Sequence, residues 1–282
     1  MIFVLGATGK VGRHLVPALL DAGAPVRALT RDPAKARIDP RAEVVRGDLD
    51  TSDLPALLDG ADRVFVLTQG HIADREAAVA QAAARAGVPH LVKLSTTGVH
   101  FGQKDAITTA HAEAEQAIRE AGPVWTILRP GAFMDNRFAW IGSIREENAV
   151  YVPDTDPPSA LVHVRDIAEV ATLTLTTSGH EGATYGLTGG EALTAEQQVA
   201  ILAEAIGRPL KYVEETESAA KERLIRMYGW PAKAIDGLFA LKRESAPHER
   251  VVFDTIERLL GRPPRTFAAW ARENASAYHH QR

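Results

Sequence analysis

Short apolar runs at residues 2–5, 26–29, 43–46, 64–67, 91–94 and 124–128 alternate with segments at 11–22, 54–58, 72–86 and 110–121 whose apolar residues recur at helical spacing. Strand and helix alternating this regularly predict βαβ units, a parallel sheet and right-handed crossovers. Gly23, Gly60, Gly87 and Gly122 stand at the predicted helix exits, where the chain turns through a left-handed conformation that glycine adopts without steric cost. The expected fold class is therefore α/β, a doubly wound parallel sheet.

The rhythm changes after Arg129-Pro130-Gly131. A helical stretch running to about Asn148 leads into Tyr151-Val152-Pro153-Asp154-Thr155-Asp156-Pro157-Pro158, which reads as a proline-rich loop. A helix follows near 165–177, opened by His163-Val164-Arg165-Asp166. Next come a strand at 183–187 and a helix behind the Thr194 cap, with Glu196 and Gln197 in its first turn. Helical patterns dominate from Ser218 to the end, broken at Trp230-Pro231 and Arg262-Pro263-Pro264. The expected organisation is a nucleotide-binding domain over 1–150, with later additions to its sheet from about 160–190, and a smaller helix-rich substrate or lid lobe over 151–282.

Composition removes several alternatives. At 282 residues with 45% apolar and 24% charged side chains, the chain has ample material for a core. It contains no cysteine, which excludes zinc ribbons, iron–sulfur clusters and thiol nucleophiles. A net charge of −4 argues against a nucleic-acid partner. No apolar run reaches ~18 residues, and the opening Met1-Ile2-Phe3-Val4-Leu5 lacks a basic leader, so a cytoplasmic protein away from membranes is expected.

Gly6-Ala7-Thr8-Gly9-Lys10-Val11-Gly12 joins the first strand to the first helix in the spacing G-x-x-G-x-x-G, a variant of the dinucleotide fingerprint of Rossmann-type sheets. Gly6 allows the tight turn, Gly9 lets backbone approach a pyrophosphate, and Gly12 lets the helix pack closely. The helix start then offers unpaired N–H groups and partial positive charge to the phosphates. The bound group is read as NAD(P), with Gly6, Thr8, Gly9, Lys10, Val11 and Gly12 as its cradle. At the end of the second strand an acidic residue would serve NAD(H), but this chain has Arg31, with Lys35 a turn later. Arg31 suits the 2′-phosphate of NADP(H), which is the favoured cofactor, with NAD(H) left open because Asp32 adjoins it. Asp48, in Gly47-Asp48-Leu49-Asp50, is placed for the adenine amino group beside Leu49. Asp48, Asp50 and Asp53 are not read as a calcium loop, since its glycine and distal glutamate are missing, and Asp53 reads as a helix cap. No metal site is expected.

Hydride-transfer enzymes of the short-chain dehydrogenase type carry Tyr and Lys four residues apart on one helix face. Tyr151, Tyr185, Tyr212, Tyr228 and Tyr278 all lack a lysine four residues on. The glycine loop, Leu29-Thr30-Arg31-Asp32-Pro33, Gly47-Asp48-Leu49, His111-Ala112-Glu113-Ala114-Glu115, Trp125-Thr126-Ile127-Leu128-Arg129-Pro130, Phe133-Met134-x-Asn136 and the tail from Gly261 to Trp270 together resemble the NmrA-like family of atypical short-chain dehydrogenases. The resemblance spans nearly the whole chain. It implies either an NADPH-dependent reductase of quinones, triphenylmethane dyes or related conjugated acceptors, or a non-catalytic redox sensor acting through a protein partner. Against the family pattern, His111 stands where the usual Lys would be and Ile107 where the Tyr would be, a replacement that resembles the quinone-reducing branch.

A conjugated acceptor is already an electron sink, so its reduction chiefly needs alignment with the nicotinamide. His111 is the candidate catalytic residue, orienting the cofactor ribose or supplying a proton, with a surface histidine paired to Glu115 as the plainer alternative. Ligands of such sheets bind at the carboxyl ends of the strands. Thr68, Gln69 and Gly70 end the fourth strand and are expected at the cofactor, as is Ser95 after the fifth, whose alternative is capping together with Thr96. Pro130 to Phe133 after the sixth is expected to wall the nicotinamide. Phe133, Asn136 and Trp230 are candidates for the acceptor. For Asn136 the alternative is a buried structural role, and for the aromatic group Phe133, Met134, Phe138, Trp140 and Tyr228-Gly229-Trp230 it is ordinary core. His279-His280 reads as tail. The expected function is an NADPH-preferring oxidoreductase acting on a quinone-like or other conjugated small-molecule acceptor, with homo-oligomers left open.

Overall fold

The computed structural model describes residues 1–279, together with all side chains among them except that of Tyr228; the remainder of the His279-His280 reading and the Tyr228 side chain lie outside what is described. In chain order the elements are β1 (Ile2–Val4), α1 (Gly12–Asp21), β2 (Val26–Thr30), β3 (Glu43–Arg46), α2 (Leu54–Leu58), β4 (Arg63–Val66), α3 (Ile72–Arg85), β5 (His90–Leu94), α4 (Thr97–His100), α5 (Ala106–Glu120) and β6 (Val124–Pro130). A 3-10 helix, Met134–Trp140, precedes α6 (Ile141–Glu147), β7 (Ala149–Pro153), α7 (Val164–Thr176), β8 (Thr184–Leu187), α8 (Ala195–Ile206), β9 (Lys211–Glu215), α9 (Glu217–Tyr228), α10 (Ala232–Ser245), α11 (Thr255–Leu260) and α12 (Phe267–Asn274).

The chain divides into two compact units: Met1–Pro130 with Val164–Leu187 and Thr255–Arg262, and Gly131–His163 with Thr188–Asp254 and Pro263–Arg282. The boundary after Pro130 lies ahead of the expected one at 150. Residues 131–150 join the second unit because Met134, Ile144 and Val150 are buried in its core. Residues 255–262 return to the first, where Arg262 pairs with Asp166 of α7 at 2.7 Å.

The first unit is a seven-stranded sheet in the order β3-β2-β1-β4-β5-β6-β8. Every strand pair in it is parallel. Apolar strands sealed on both faces explain this: Phe3, Leu5, Val64, Val66 and Leu91 pack with Val79, Ala80 and Ala83 of α3 and Ile118 of α5. Strand alternation turns the equally buried Ile2, Val4, Phe65 and Val92 to the opposite face. Helices α1 and α7 lie side by side, as do α3 and α5. Strand order reverses between β1 and β4, and that switch point is where open α/β sheets bind their ligands.

The second unit holds the parallel pair β7-β9. Residues 151–153, read above as part of a proline-rich loop, are strand, and Lys211–Glu215 beside them has no counterpart in the expectations. Phe138 packs on Trp270 at 5.3 Å between ring centroids, and Met134, Phe138 and Trp140 belong to the same core as Tyr278. The indole Nε1 of Trp270 donates to the buried Asp135 Oδ1 at 2.9 Å. Met134, Phe138 and Trp140 of that group are therefore core. Among the described residues no helix is long and apolar enough to cross a membrane.

Candidate active site

The loop after β1 is shaped by contacts that only glycine tolerates. Gly6 has φ +67°, and a Cβ placed on it would meet the Leu67 carbonyl at 3.1 Å. A Cβ on Gly12 would fall 2.1 Å from the Gly6 carbonyl oxygen and 2.7 Å from the Ala7 Cα. Gly12 thus lets α1 start against the loop itself. Gly9 closes the turn by donating its N–H to Gly6 at 2.9 Å, whereas the N–H groups of Thr8, Val11 and Gly12 have no backbone acceptor among the described residues. Val11 and Gly12 are buried, so these are orphaned donors at a helix start. Their direction and sign fit a dinucleotide pyrophosphate.

Arg31 and Lys35 are both exposed just beyond β2, but they differ in engagement. Lys35 pairs with Asp32 at 3.2 Å, whereas Arg31 is in no ion pair among the described residues. Asp48 is half-buried; its Oδ1 accepts the Asp50 N–H at 2.9 Å while its own N–H donates to Ser52 Oγ at 2.9 Å. Leu49 beside it packs on the sheet core. Asp50 is held by Arg75 Nε at 2.8 Å, and Asp53 caps α2 by accepting from Ala56. Asp50 and Asp53 thus spend their carboxylates on Arg75 and on the α2 cap. Arg75, unnoticed in the sequence, also donates to the carbonyls of Gln69 and Gly70 and so ties the loop after β4 to the loop after β3.

The polar interior of the site is a chain of side chains from separate elements. Thr68, after β4, donates to Glu76 Oε1 from its backbone N at 3.2 Å and from Oγ1 at 3.1 Å. Glu76, from α3, takes an ion pair with Lys93 of β5 through its other oxygen. Lys93 Nζ also reaches the Leu94 carbonyl at 3.3 Å and His111 Nδ1, on α5, at 3.1 Å. Glu76 and Lys93 are both fully buried. Thr68, expected to bond the cofactor, gives its hydroxyl to Glu76 here.

His111 is 9% exposed. Burial and then the Lys93 charge depress its pKa to about 4, against smaller opposing effects of Glu115 and Asp105. It is therefore a neutral imidazole at pH 7, and the ordinary histidine value behind its expected proton-donor role does not hold here. Burial pushes the Glu76 carboxyl up, against the pull of Lys93.

Glu115, the alternative partner of His111, is committed elsewhere. Ser95 Oγ donates to it at 2.6 Å, Arg129 Nε at 2.9 Å and Arg119 at 2.9 Å. The Ser95 hydroxyl proton is thus spent on Glu115, while Thr96 caps α4 through Gly98. Burial alone would raise the Glu115 carboxyl, but the bonds from Arg129, Ser95 and Arg119 outweigh it and hold the group below its ordinary range. Because the folded value lies below the unfolded one, the stability Glu115 contributes is complete above its unfolded pKa and is lost as pH falls through the folded value. Glu115→Gln is expected to cost about 1–2 kcal/mol and to flatten the acid limb of the stability curve, checked by urea unfolding between pH 3 and 7.

Pro130 ends β6 in the first unit. Phe133, Asn136 and Trp230 belong to the second unit. Phe133 is half-buried and accepts the Asn136 N–H at 3.0 Å just before the 3-10 helix. Asn136 is exposed, which removes its buried structural alternative. Trp230 is 48% exposed, between α9 and α10.

Residues 6–178 match the model of a family described as NAD(P)H-binding. The chain belongs to that family. Two relatives that it matches over nearly their whole length are reductases, and this NAD(P)H-binding protein is an NAD(P)H-dependent reductase. It is 41% identical over 281 residues to the (4-alkanoyl-5-oxo-2,5-dihydrofuran-3-yl)methyl phosphate reductase of Streptomyces griseus, across 99% of both chains. It is 38% identical over 289 residues to the NAD(P)H azoreductase of Xenophilus azovorans, again across 99% of both. Among solved structures it is similar to the NADPH-dependent quinone oxidoreductase of Escherichia coli complexed with NADPH, with a TM-score of 0.84, 25% identity, and coverage of 97% of this chain and 99% of that one.

Proposed function

We propose that this oxidoreductase draws on NADPH in preference to NADH and passes the hydride to a small conjugated acceptor, with a His111 hydrogen bond as its main catalytic contribution. The observation that carries the reading is the state of His111. In place of the Tyr-Lys pair of a ketone reductase, α5 offers a neutral imidazole whose Nδ1 is occupied by Lys93 and whose Nε2 bonds to no protein group among the described residues. A bound reduced nicotinamide supplies the hydride. A neutral imidazole N–H is a weak acid but a good hydrogen-bond donor, suited to polarising an oxygen or nitrogen on which negative charge develops. Acceptors that delocalise that charge need no stronger acid, and water protonates the product. The names of the relatives above support this class: a dihydrofuranone ring with a carbon–carbon double bond in conjugation with its carbonyl, an azo bond and a quinone are all π-electron sinks.

Arg31 supports the coenzyme preference, since it is a guanidinium at the end of β2 with no ion pair among the described residues. A charge-assisted bond to a 2′-phosphate is worth ~1.5–3 kcal/mol, or roughly ten- to a hundredfold in affinity. Arg31→Ala is expected to weaken NADPH by about that factor and leave NADH within about twofold, measured by fluorescence titration of both coenzymes. An unchanged ratio would remove the preference. NADPH oxidation followed against butenolides, quinones, azo dyes and, as a control, simple aliphatic ketones tests the acceptor class. Turnover with the ketones equal to that with the conjugated compounds would overturn it.

A further inference from the structure

We infer that Lys93, itself held by Glu76, is the positioning residue for His111: it fixes the ring with Nδ1 as an acceptor and so commits the ring proton to Nε2, the nitrogen left for an acceptor molecule. The inference rests on the reading of His111 given above. Its chemistry follows from donor counting. An ammonium has three N–H donors and no acceptor. Lys93 Nζ has three partners, the Glu76 carboxylate, the Leu94 carbonyl and His111 Nδ1. Since Lys93 can only donate, Nδ1 must carry the lone pair, and a neutral ring then holds its proton on Nε2.

Glu76 is committed in the same way. Oε1 takes the Thr68 N–H and hydroxyl, and Oε2 takes Lys93. The lysine therefore cannot swing away from the ring without leaving a buried carboxylate unpaired. An ion pair with no solvent exposure is a poor stabilising device, because desolvation of both charges offsets their attraction, and apolar residues of similar volume commonly do as well. Lys93 sits inside a strand whose residues are all buried, where leucine or valine would pack. What the pair does supply is a donor aimed at Nδ1 and a positive charge beside the ring. The other charged groups around His111 are Glu115 on its own helix, engaged by Arg129 of β6, Arg119 and Ser95, and Asp105 at the cap of α5. Both carboxylates favour the protonated ring, so Lys93 and burial are what oppose them.

The test uses the full chain labelled with 15N-histidine. In the native protein the His111 ring nitrogens are expected to report the Nε2–H tautomer and no protonation down to about pH 5. In Lys93→Met, His111 is expected to titrate one or more pH units higher. Its kcat/KM with a water-soluble naphthoquinone should fall about tenfold and acquire an inflection between pH 5 and 7, with the KM for NADPH within about twofold. If the single variant does not fold, Glu76→Gln/Lys93→Met leaves neither charge unpaired and carries the same expectations, while Lys93→Arg should recover part of the rate by keeping a donor near Nδ1. An Nδ1–H tautomer in the native protein overturns the inference. So does a His111 titration, or a kcat/KM and its pH profile, that is unmoved in the folded variant. The ring spectra do not depend on turnover, so a His111→Ala protein with native activity would be recognised separately, as failure of the catalytic reading beneath the inference.

Discussion

Gly12→Ala is expected to abolish measurable NADPH binding while leaving most of the helical and sheet content in place. The added methyl would stand 2.1 Å from the Gly6 carbonyl oxygen, 2.7 Å from the Ala7 Cα and 2.8 Å from the Ala7 carbonyl carbon. All are backbone atoms, so no side-chain rotation can relieve the contact. Either α1 moves outward or the turn at Gly6 opens, and both displace the N–H groups of Thr8, Val11 and Gly12 that would meet the phosphates. Over-packing of this kind costs about 1–3 kcal/mol or more. With the lost anion contacts added, affinity should fall by at least ~100-fold, since each 1.4 kcal/mol is a factor of ten. Gly9→Ala is the internal comparison. Its Cβ would meet one atom, the Gly6 carbonyl oxygen at 3.1 Å, and a smaller loss is expected. Fluorescence titration with NADPH and circular dichroism on the same samples check both variants. A Gly12→Ala protein that binds NADPH like the native chain would mean that the loop yields freely and does not cradle a phosphate.

The parts of this molecule legible in the sequence are those that local pattern controls. The strands of the large sheet are runs such as Ile2-Phe3-Val4-Leu5, too short for helices and apolar on both faces, and the exits at Gly23, Gly60, Gly87 and Gly122 do adopt positive φ. Thr194 also closes its reciprocal cap with Gln197 as its spacing implies. Strand β7 escaped because Tyr151-Val152-Pro153 runs straight into a proline-rich stretch, and β9 because Lys211-Tyr212-Val213-Glu214-Glu215 is short and half polar. Each is stabilised by pairing with a partner about sixty residues away, a contact no local window contains.

The site divides along the same line. The glycine loop is a local motif whose tight turn could be read directly, and Arg31 is a candidate suggested by its place after β2 alone. The Thr68–Glu76–Lys93–His111 chain joins four elements, and none of its links is a spacing rule. One signal was available: a lysine inside His90-Leu91-Val92-Lys93-Leu94, in a strand read as buried, demands a buried counter-charge. Glu76, facing it from a helix otherwise rich in alanine, supplies that charge. Glu115 shows the converse hazard. One turn from His111 on the same helix, it looks like the histidine's partner, yet it is spent on Arg129, Arg119 and Ser95.

His111→Ala is expected to lower kcat with a conjugated acceptor by about 10- to 100-fold, the scale of one hydrogen bond to developing charge, and to leave NADPH affinity within about twofold. The native pH profile should carry no histidine inflection between pH 5 and 8, because the ring is neutral throughout that window with a pKa of about 4. An imidazolium acting as a true acid would instead give an activity that falls through the ordinary histidine range as pH rises. Stability should show the complement. The folded value of about 4 lies below the ordinary 6.5, so the unfolded chain binds more protons between them, and the stability associated with this ring is complete above 6.5 and drains away as pH falls toward 4. His111→Ala should remove that slope while also removing the rate contribution, whereas a merely structural histidine would alter the slope and leave kcat untouched. Stopped-flow hydride transfer at pH 5, 6.5 and 8, paired with urea unfolding at the same values, separates the two: loss of the slope with an unchanged kcat would place His111 in the fold and outside the chemistry.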